Sequence, residues 1–277
     1  MRLAGDCEAL PAERNRFTGC AARRGLRALP AEIGEVPVVG WRDARVGFRG
    51  QAEFDRHAAT YDEELARGIR LSGESQEYFA AGRVAWLGAC LARLGVRPQR
   101  LLDFGCGTGA SAPYLTGLLP DCALVGVDVS EACVVEARRR HGSGRVSFQL
   151  AGDGLGASEF DLAFCNGVFH HIAPAERAHW LGVLQAALRA GGLLALWENN
   201  PWNPGTRLVM KRIPLDREAV TLSARAARRL VQRAGFGVLA VDFHFYFPRW
   251  LRWLRGLEGA LTRWPFGAQY QVLARKP

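Results

Sequence analysis

Between Leu101 and Gly109 the chain reads Leu-Leu-Asp-Phe-Gly-Cys-Gly-Thr-Gly: an apolar run, an acid, then three glycines at alternate positions. Few folds have a place for such a segment. It suits a buried strand that runs into a tight turn whose bare backbone presses on a ligand, because glycine supplies positive φ and lacks a Cβ. The turn then opens a helix, whose first N–H groups have no intrahelical partner and meet a polar or anionic ligand.

Around this loop, strand and helix patterns alternate. The sequence predicts strands at 100–104, 123–127, 146–150, 160–165 and 193–197. Between them it predicts helices at 110–118, 131–140 and 174–189, the last ended by Gly191-Gly192. Ser130 reads as an N-cap. A βαβα rhythm of this kind argues for a parallel sheet covered on both faces. Upstream, a helical pattern runs from Phe54 to about Leu94, with a break near Gly68–Gly73. Downstream come a helix at 223–234 and two further strands at 238–247 and 269–275. Residues 1–50 show no steady period and read as a disordered or loosely docked extension, leaving 51–277 as the folded domain.

Composition excludes some classes. No apolar run approaches the ~20 residues that span a bilayer. The seven cysteines form no CxxC pair and no metal-ligand spacing, so reduced thiols in a cytoplasmic protein are expected, and no metal. The net charge of +9 is uneven: residues 201–277 carry 14 basic and 4 acidic side chains, while 51–200 are slightly acidic. That asymmetry points to an anionic partner near the C-terminal segment; an arginine-heavy composition, with only two lysines, explains it equally.

Ligands of open parallel sheets bind at the carboxyl ends of the strands. Asp103, Asp128 and Asp153 stand at or just beyond three successive strand ends, and Asn166 follows the fourth strand. One such acid reads as a helix cap. Three acids beside the glycine loop are harder to explain that way. Gly105, Gly107 and Ala110 also satisfy a dinucleotide fingerprint, so a nicotinamide-dependent oxidoreductase stays open. Against it, the Asp103 and Asp153 carboxylates would repel a pyrophosphate.

As an ordered set, Leu101–Gly109, Val125-Gly-Val-Asp-Val-Ser130, Gly152-Asp-Gly154 and Phe160–His171 resemble the motifs of class I S-adenosylmethionine-dependent methyltransferases. The resemblance implies an α/β, doubly wound, Rossmann-like sheet of seven mostly parallel strands, with an antiparallel terminal strand and a helical N-terminal cap. It implies S-adenosyl-L-methionine as cofactor. Gly105, Gly107 and Gly109 would pack on its methionine part and Asp103 would orient its ammonium. Asp128, with Val129, would take the ribose; Asp153 and Gly154 the adenine. Asn166 would complete the pocket, and Tyr61, in the segment that resembles a closing helix, would touch the methionine end. A protein that binds the cofactor without transfer is a further alternative.

Three features concern the acceptor. His170 and His171 follow the fourth strand; either is catalytic or shapes the pocket, with His170 favoured. Glu198 opens the polar run Glu198–Pro204, which reads as a substrate loop or a rigid turn. Between the last two strands, residues 248–264 read as a helical insertion with Trp250, Trp253, Leu254, Leu257, Leu261 and Trp264 on one stripe and arginines beside it. Such a helix suits a membrane interface, a lid over an amphiphile, or packing on its own sheet. The expected partner is a small-molecule or amphiphilic acceptor, with oxygen favoured over nitrogen or carbon as the methylated atom and peripheral contact at the inner membrane face if 248–264 is interfacial. Nucleic acid is disfavoured because lysine is nearly absent and no reading module is seen.

Overall fold

A computed structural model describes residues 61–151, 156–217 and 219–277. The expected extension at 1–50 lies outside the described residues. Seven strands form one sheet in the order β3-β2-β1-β4-β5-β7-β6. They are β1 Arg100–Phe104, β2 Ala123–Asp128, β3 Val146–Leu150, β4 Phe160–Asn166, β5 Leu188–Asn199, β6 Gly237–His244 and β7 Gln269–Arg275. The first five pair in parallel, and β7 runs antiparallel to both β5 and β6.

The helices are α1 Tyr61–Ile69, α2 Gln76–Leu94, α3 Ala112–Leu118, α4 Glu131–His141, α5 Arg177–Ala187, α6 Pro204–Met210, α7 Ala224–Arg233 and the single turn α8 Glu258–Leu261. Their ends follow local chemistry. Ser75, Ser130, Asn203 and Ser223 each accept a hydrogen bond from a first-turn N–H, satisfying a donor that the helix itself leaves unpaired. Gly95, in the left-handed region at φ 64°, closes α2.

Alternate residues of the central strands face opposite layers. Leu102, Phe104, Ala163, Leu194 and Leu196 pack in one core with Trp180 and Leu184 of α5 and Val231 of α7. Leu101, Phe164, Leu193 and Trp197 pack in the other with Leu87 of α2, Leu115 of α3 and Val134 of α4. Both faces of the sheet are therefore dry, which is why these strands read as continuous apolar runs. Because β1 lies between β2 and β4, the loops after β1 and β4 diverge and leave a crevice at their carboxyl ends.

Three expectations need correction. The helix after the glycine loop starts at Ala112 and is seven residues long, because Ala112 N–H is still taken by the loop carbonyl of Gly109 at 2.9 Å. The helix expected over 174–189 stops at Ala187; Leu188 turns extended to pair with Phe160. The Gly191-Gly192 pair is thus a bend inside β5, with Gly191 at φ 76° and main-chain bonds to Lys276, and ends no helix. Finally, the 248–264 insertion is no continuous α-helix. Residues Arg249–Leu257 wind as 3-10 turns interrupted at Leu251 (φ −106°, ψ 20°), followed by α8.

Candidate functional site

The glycine loop hangs from the end of β2: the N–H groups of Gly105 and Cys106 both donate to the Val127 carbonyl, at 2.8 and 3.0 Å. Gly105 (φ 72°) has no alternative, since a Cβ there would stand 2.2 Å from Val168 Cγ2. Gly107 (φ 53°) differs in kind. A Cβ there would meet nothing within 4 Å, so this stretch of backbone faces open space. Its N–H donates to Asp128 Oδ2 at 2.8 Å, and Asp128 Oδ1 accepts from Ser130 N–H at 3.0 Å. Asp128 thus braces the loop and the entry to α4 while lining the space between them.

That space is a cavity at the carboxyl ends of β1, β2 and β4. Gly105, Gly107, Asp128 and Val129 form one wall; Asn166 and His171 stand on the other. These six are the expected site residues that the fold brings together. Gly109 and Asp103 are off the cavity wall; Gly109 packs toward His141 and Phe148. Tyr61 opens α1, with its side chain outside the described residues, and Asp153 and Gly154 also lie outside them. Cys133 and Val168 line the cavity as well and were not singled out, being ordinary apolar positions of a first helical turn and a strand exit.

Asp103 is 2% exposed, and its Oδ2 has no hydrogen-bond partner among the described residues. Burial pushes its carboxyl up to about 7; the nearby Asp128 charge adds to this and Arg83 opposes it. A dry carboxyl with one unpartnered oxygen is costly unless a cation or donor meets it. This corner therefore suits a positively charged ligand group and is ill suited to a phosphate.

Beyond β4 the side chains form a closed network. Glu198, at the end of β5, is fully buried: Oε1 accepts from Phe169 N–H at 2.7 Å, and Oε2 lies 2.7 Å from His170 Nδ1. On the other side, Asp216 Oδ1 stands 3.5 Å from His170 Nε2 and 3.4 Å from His171 Nε2. Burial alone would depress the His170 imidazole, but the Glu198 and Asp216 carboxylates outweigh it and hold it at about 10. Burial and the neighbouring His170 push His171 below its ordinary value. Burial acts to raise Asp216, yet the two imidazoles hold its carboxyl well below the usual range. Of the three residues expected to be catalytic, only His171 reaches the cavity wall; His170 and Glu198 stand behind it. Asp216 has no local signal in the sequence and joins the network only through the fold.

The rest of the run after Glu198 serves the chain itself. Asn200 Nδ2 donates to the carbonyls of Pro265 and Gly267, at 2.9 and 2.8 Å. Asn203 Nδ2 donates to Phe266 O at 2.7 Å, and Thr206 Oγ1 to Ala268 O at 2.8 Å. The run is a clamp on the segment returning from the insertion. The insertion is held at its other side by Arg255, paired with Glu74 at 2.6 Å and stacked on Tyr78. Its aromatics face outward: Trp250 is 70% exposed, Trp253 75% and Trp264 59%. The stripe is therefore split: its three tryptophans and Leu257 are exposed, whereas Leu254 and Leu261 are half-buried.

Residues 102–194 match a protein family described as "Methyltransferase domain". A carboxy-S-adenosyl-L-methionine synthase of Campylobacter hominis is 26% identical over 71% of this chain and 91% of its own length. A trans-aconitate 2-methyltransferase of Methylobacterium nodulans is 34% identical over 48% of this chain and 51% of its own. The share of the curated relatives' own length that the chain spans runs from 28% to 91%. Among solved structures, the putative methyltransferase bound to the Haloferax volcanii Trm112 methyltransferase activator aligns with a TM-score of 0.56, 19% identity, 81% of this chain and 98% of its own. That likeness supports the fold.

Proposed function

The chain belongs to the class I S-adenosylmethionine-dependent methyltransferases, and from that premise we propose that it transfers a methyl group to oxygen on a small-molecule or lipid-linked acceptor. The observation that carries the reading is the cavity shared by the glycine loop and Asp128 on one wall and His171 on the other. S-adenosylmethionine supplies an electrophilic methyl group on a sulfonium. The residues fit it: the bare Gly107 backbone leaves room for a ligand, Asp128 offers a carboxylate to ribose hydroxyls, and Asp103, buried behind the glycine loop, favours a cation on that side through its charge. A pyrophosphate cofactor would meet the same two carboxylates as repulsion.

In this reading the protein works mainly by positioning, which alone supplies much of the rate of an in-line displacement. Asp128 and the loop set one partner; the acceptor oxygen is held and activated from the His171 side. Glu198 fixes the His170 ring from behind and so sets His171, whose ring packs against it at 4.1 Å between centroids with the planes tilted by 45°. The trans-aconitate enzyme among the relatives supports a small acidic acceptor. Calorimetry should give one-site binding of S-adenosylhomocysteine, and methyl-labelled cofactor should label an oxygen-bearing acceptor. Binding of NAD(P)H with none of S-adenosylhomocysteine would overturn the reading. Asp128→Ala should weaken S-adenosylhomocysteine binding by ~1–3 kcal/mol, since charge-assisted bonds are lost; an unchanged Kd would remove Asp128 from the ribose site.

The exposed tryptophans extend the proposal to amphiphiles. Trp250, Trp253 and Trp264, with Arg249 and Arg252 beside them, have the composition of an interfacial segment. The protein should float with anionic phospholipid vesicles and release in high salt, and Trp250→Ala with Trp253→Ala should abolish flotation. Equal recovery of parent and double variant would sink membrane contact through this segment.

A further inference from the structure

We propose that His170, His171 and Asp216 form a binding site for a divalent first-row metal ion, zinc by ligand preference, with Glu198 as the supporting carboxylate behind His170. The ligand atoms of the three residues all lie within 4.8 Å of one another. The 3.5 and 3.4 Å gaps from Asp216 Oδ1 to the two Nε2 atoms are longer than good hydrogen bonds. They match the edge of a tetrahedron: ligands about 2.0–2.1 Å from a zinc ion stand about 3.4 Å apart.

Four further features describe a built site. The side chains are nearly dry, at 3%, 12% and 10% exposure for His170, His171 and Asp216. Glu198 engages His170 Nδ1 at 2.7 Å, which leaves the Nε2 lone pair for an ion; this carboxylate–histidine arrangement is the usual second layer of a metal site. The segment bearing Asp216 is stitched to the histidine loop, since Val220 N–H donates to His170 O at 2.9 Å. Two imidazoles and one carboxylate are also a donor set that suits zinc or ferrous iron and leaves a coordination position open. His171 belongs both to this trio and to the cavity wall, so the ion sits at the margin of the cavity.

Resting on the methyl-transfer reading, the ion's use would be to lower the pKa of an acceptor hydroxyl or to hold an acceptor carboxylate, the task assigned above to the His171 side. Binding itself needs neither acceptor nor methyl donor. The full-length chain, stripped with chelator, is titrated with zinc by calorimetry, with elemental analysis of the dialysed product. The expected result is one zinc per chain, with affinity lowered at least roughly 10-fold in both Asp216→Asn and His171→Ala. Cobalt in place of zinc should give tetrahedral visible bands without thiolate charge transfer. Substoichiometric zinc, equal affinity in both variants, or a thiolate spectrum would each overturn the proposal. Loss of zinc binding would leave the methyl-transfer reading intact, whereas absence of S-adenosylhomocysteine binding would sink that reading and leave the metal site.

Discussion

Replacing Glu198 with alanine should destabilise the metal-free protein by about 3–5 kcal/mol, the cost of removing one partner of a buried, hydrogen-bonded charge pair. For a domain of this size that is a fall in Tm of roughly 10 °C. The loss has two parts. Phe169 N–H is left without its acceptor, and His170 loses the carboxylate that offsets its burial. Glu198→Gln should cost less, because an amide oxygen still serves Phe169. The sign of the pH dependence follows from His170. Its folded value, about 10, lies above the unfolded ~6.5. The pair's contribution is therefore complete below pH ~6.5 and drains away as pH rises through 10. Denaturation curves of parent and variant should diverge most at neutral and mildly acid pH and draw closer in alkali, where only the Phe169 part of the loss remains. A loss under ~1 kcal/mol would mean that the buried pair is dispensable.

Asp103→Asn should do the opposite to the ligand-free fold and still damage function. A carboxyl raised from 3.8 to about 7 favours folding only when protonated. Its contribution is present below the unfolded value and is lost as pH rises through 7. The ionised parent is thus destabilised at pH 8 by at most ~4 kcal/mol, and asparagine removes that burden. The variant should melt higher than the parent at pH 8, and the gap should close by pH 4. Over the same comparison, affinity for S-adenosylhomocysteine should fall by ~1.5–3 kcal/mol, because the ammonium loses a charged partner. A variant that melts no higher at pH 8, or binds unchanged, would remove Asp103 from this role. Stability surrendered for binding is a common mark of a functional site.

The parallel strands were legible because both faces are buried: Leu101-Leu102 and Leu193–Trp197 read as apolar runs whatever packs on them. Asp128 and Gly107 were legible because a strand end and a positive-φ turn each leave a local mark. Gly191-Gly192 misled, since a glycine pair marks a bend and does not say which element bends. The insertion misled differently. Its apolar stripe is present, but Gly256, Gly259 and the flanking prolines weaken a long α-helix, and the chain settles into 3-10 turns. Asp216 was hidden, because its meaning depends on residues 45 positions away or farther in the chain. The polar network beside the cavity shares that property throughout: His171, Glu198 and Asp216 come from three separate segments, whereas Gly105, Gly107, Asp128 and Val129 come from two short ones.

The insertion of β7 between β5 and β6 constrains the order in which the protein can assemble. Among the described residues, β6 pairs with the sheet only through β7. No route adds β6 before β7, and any partly folded species holding β1 to β5 alone exposes the edge Leu193-Leu-Ala-Leu-Trp197 as a flat, apolar, unpaired strand. Such an edge is a template for pairing with another chain. The docking of Gln269–Arg275 is what closes that edge, and the asparagine clamp holds the segment just before it in place.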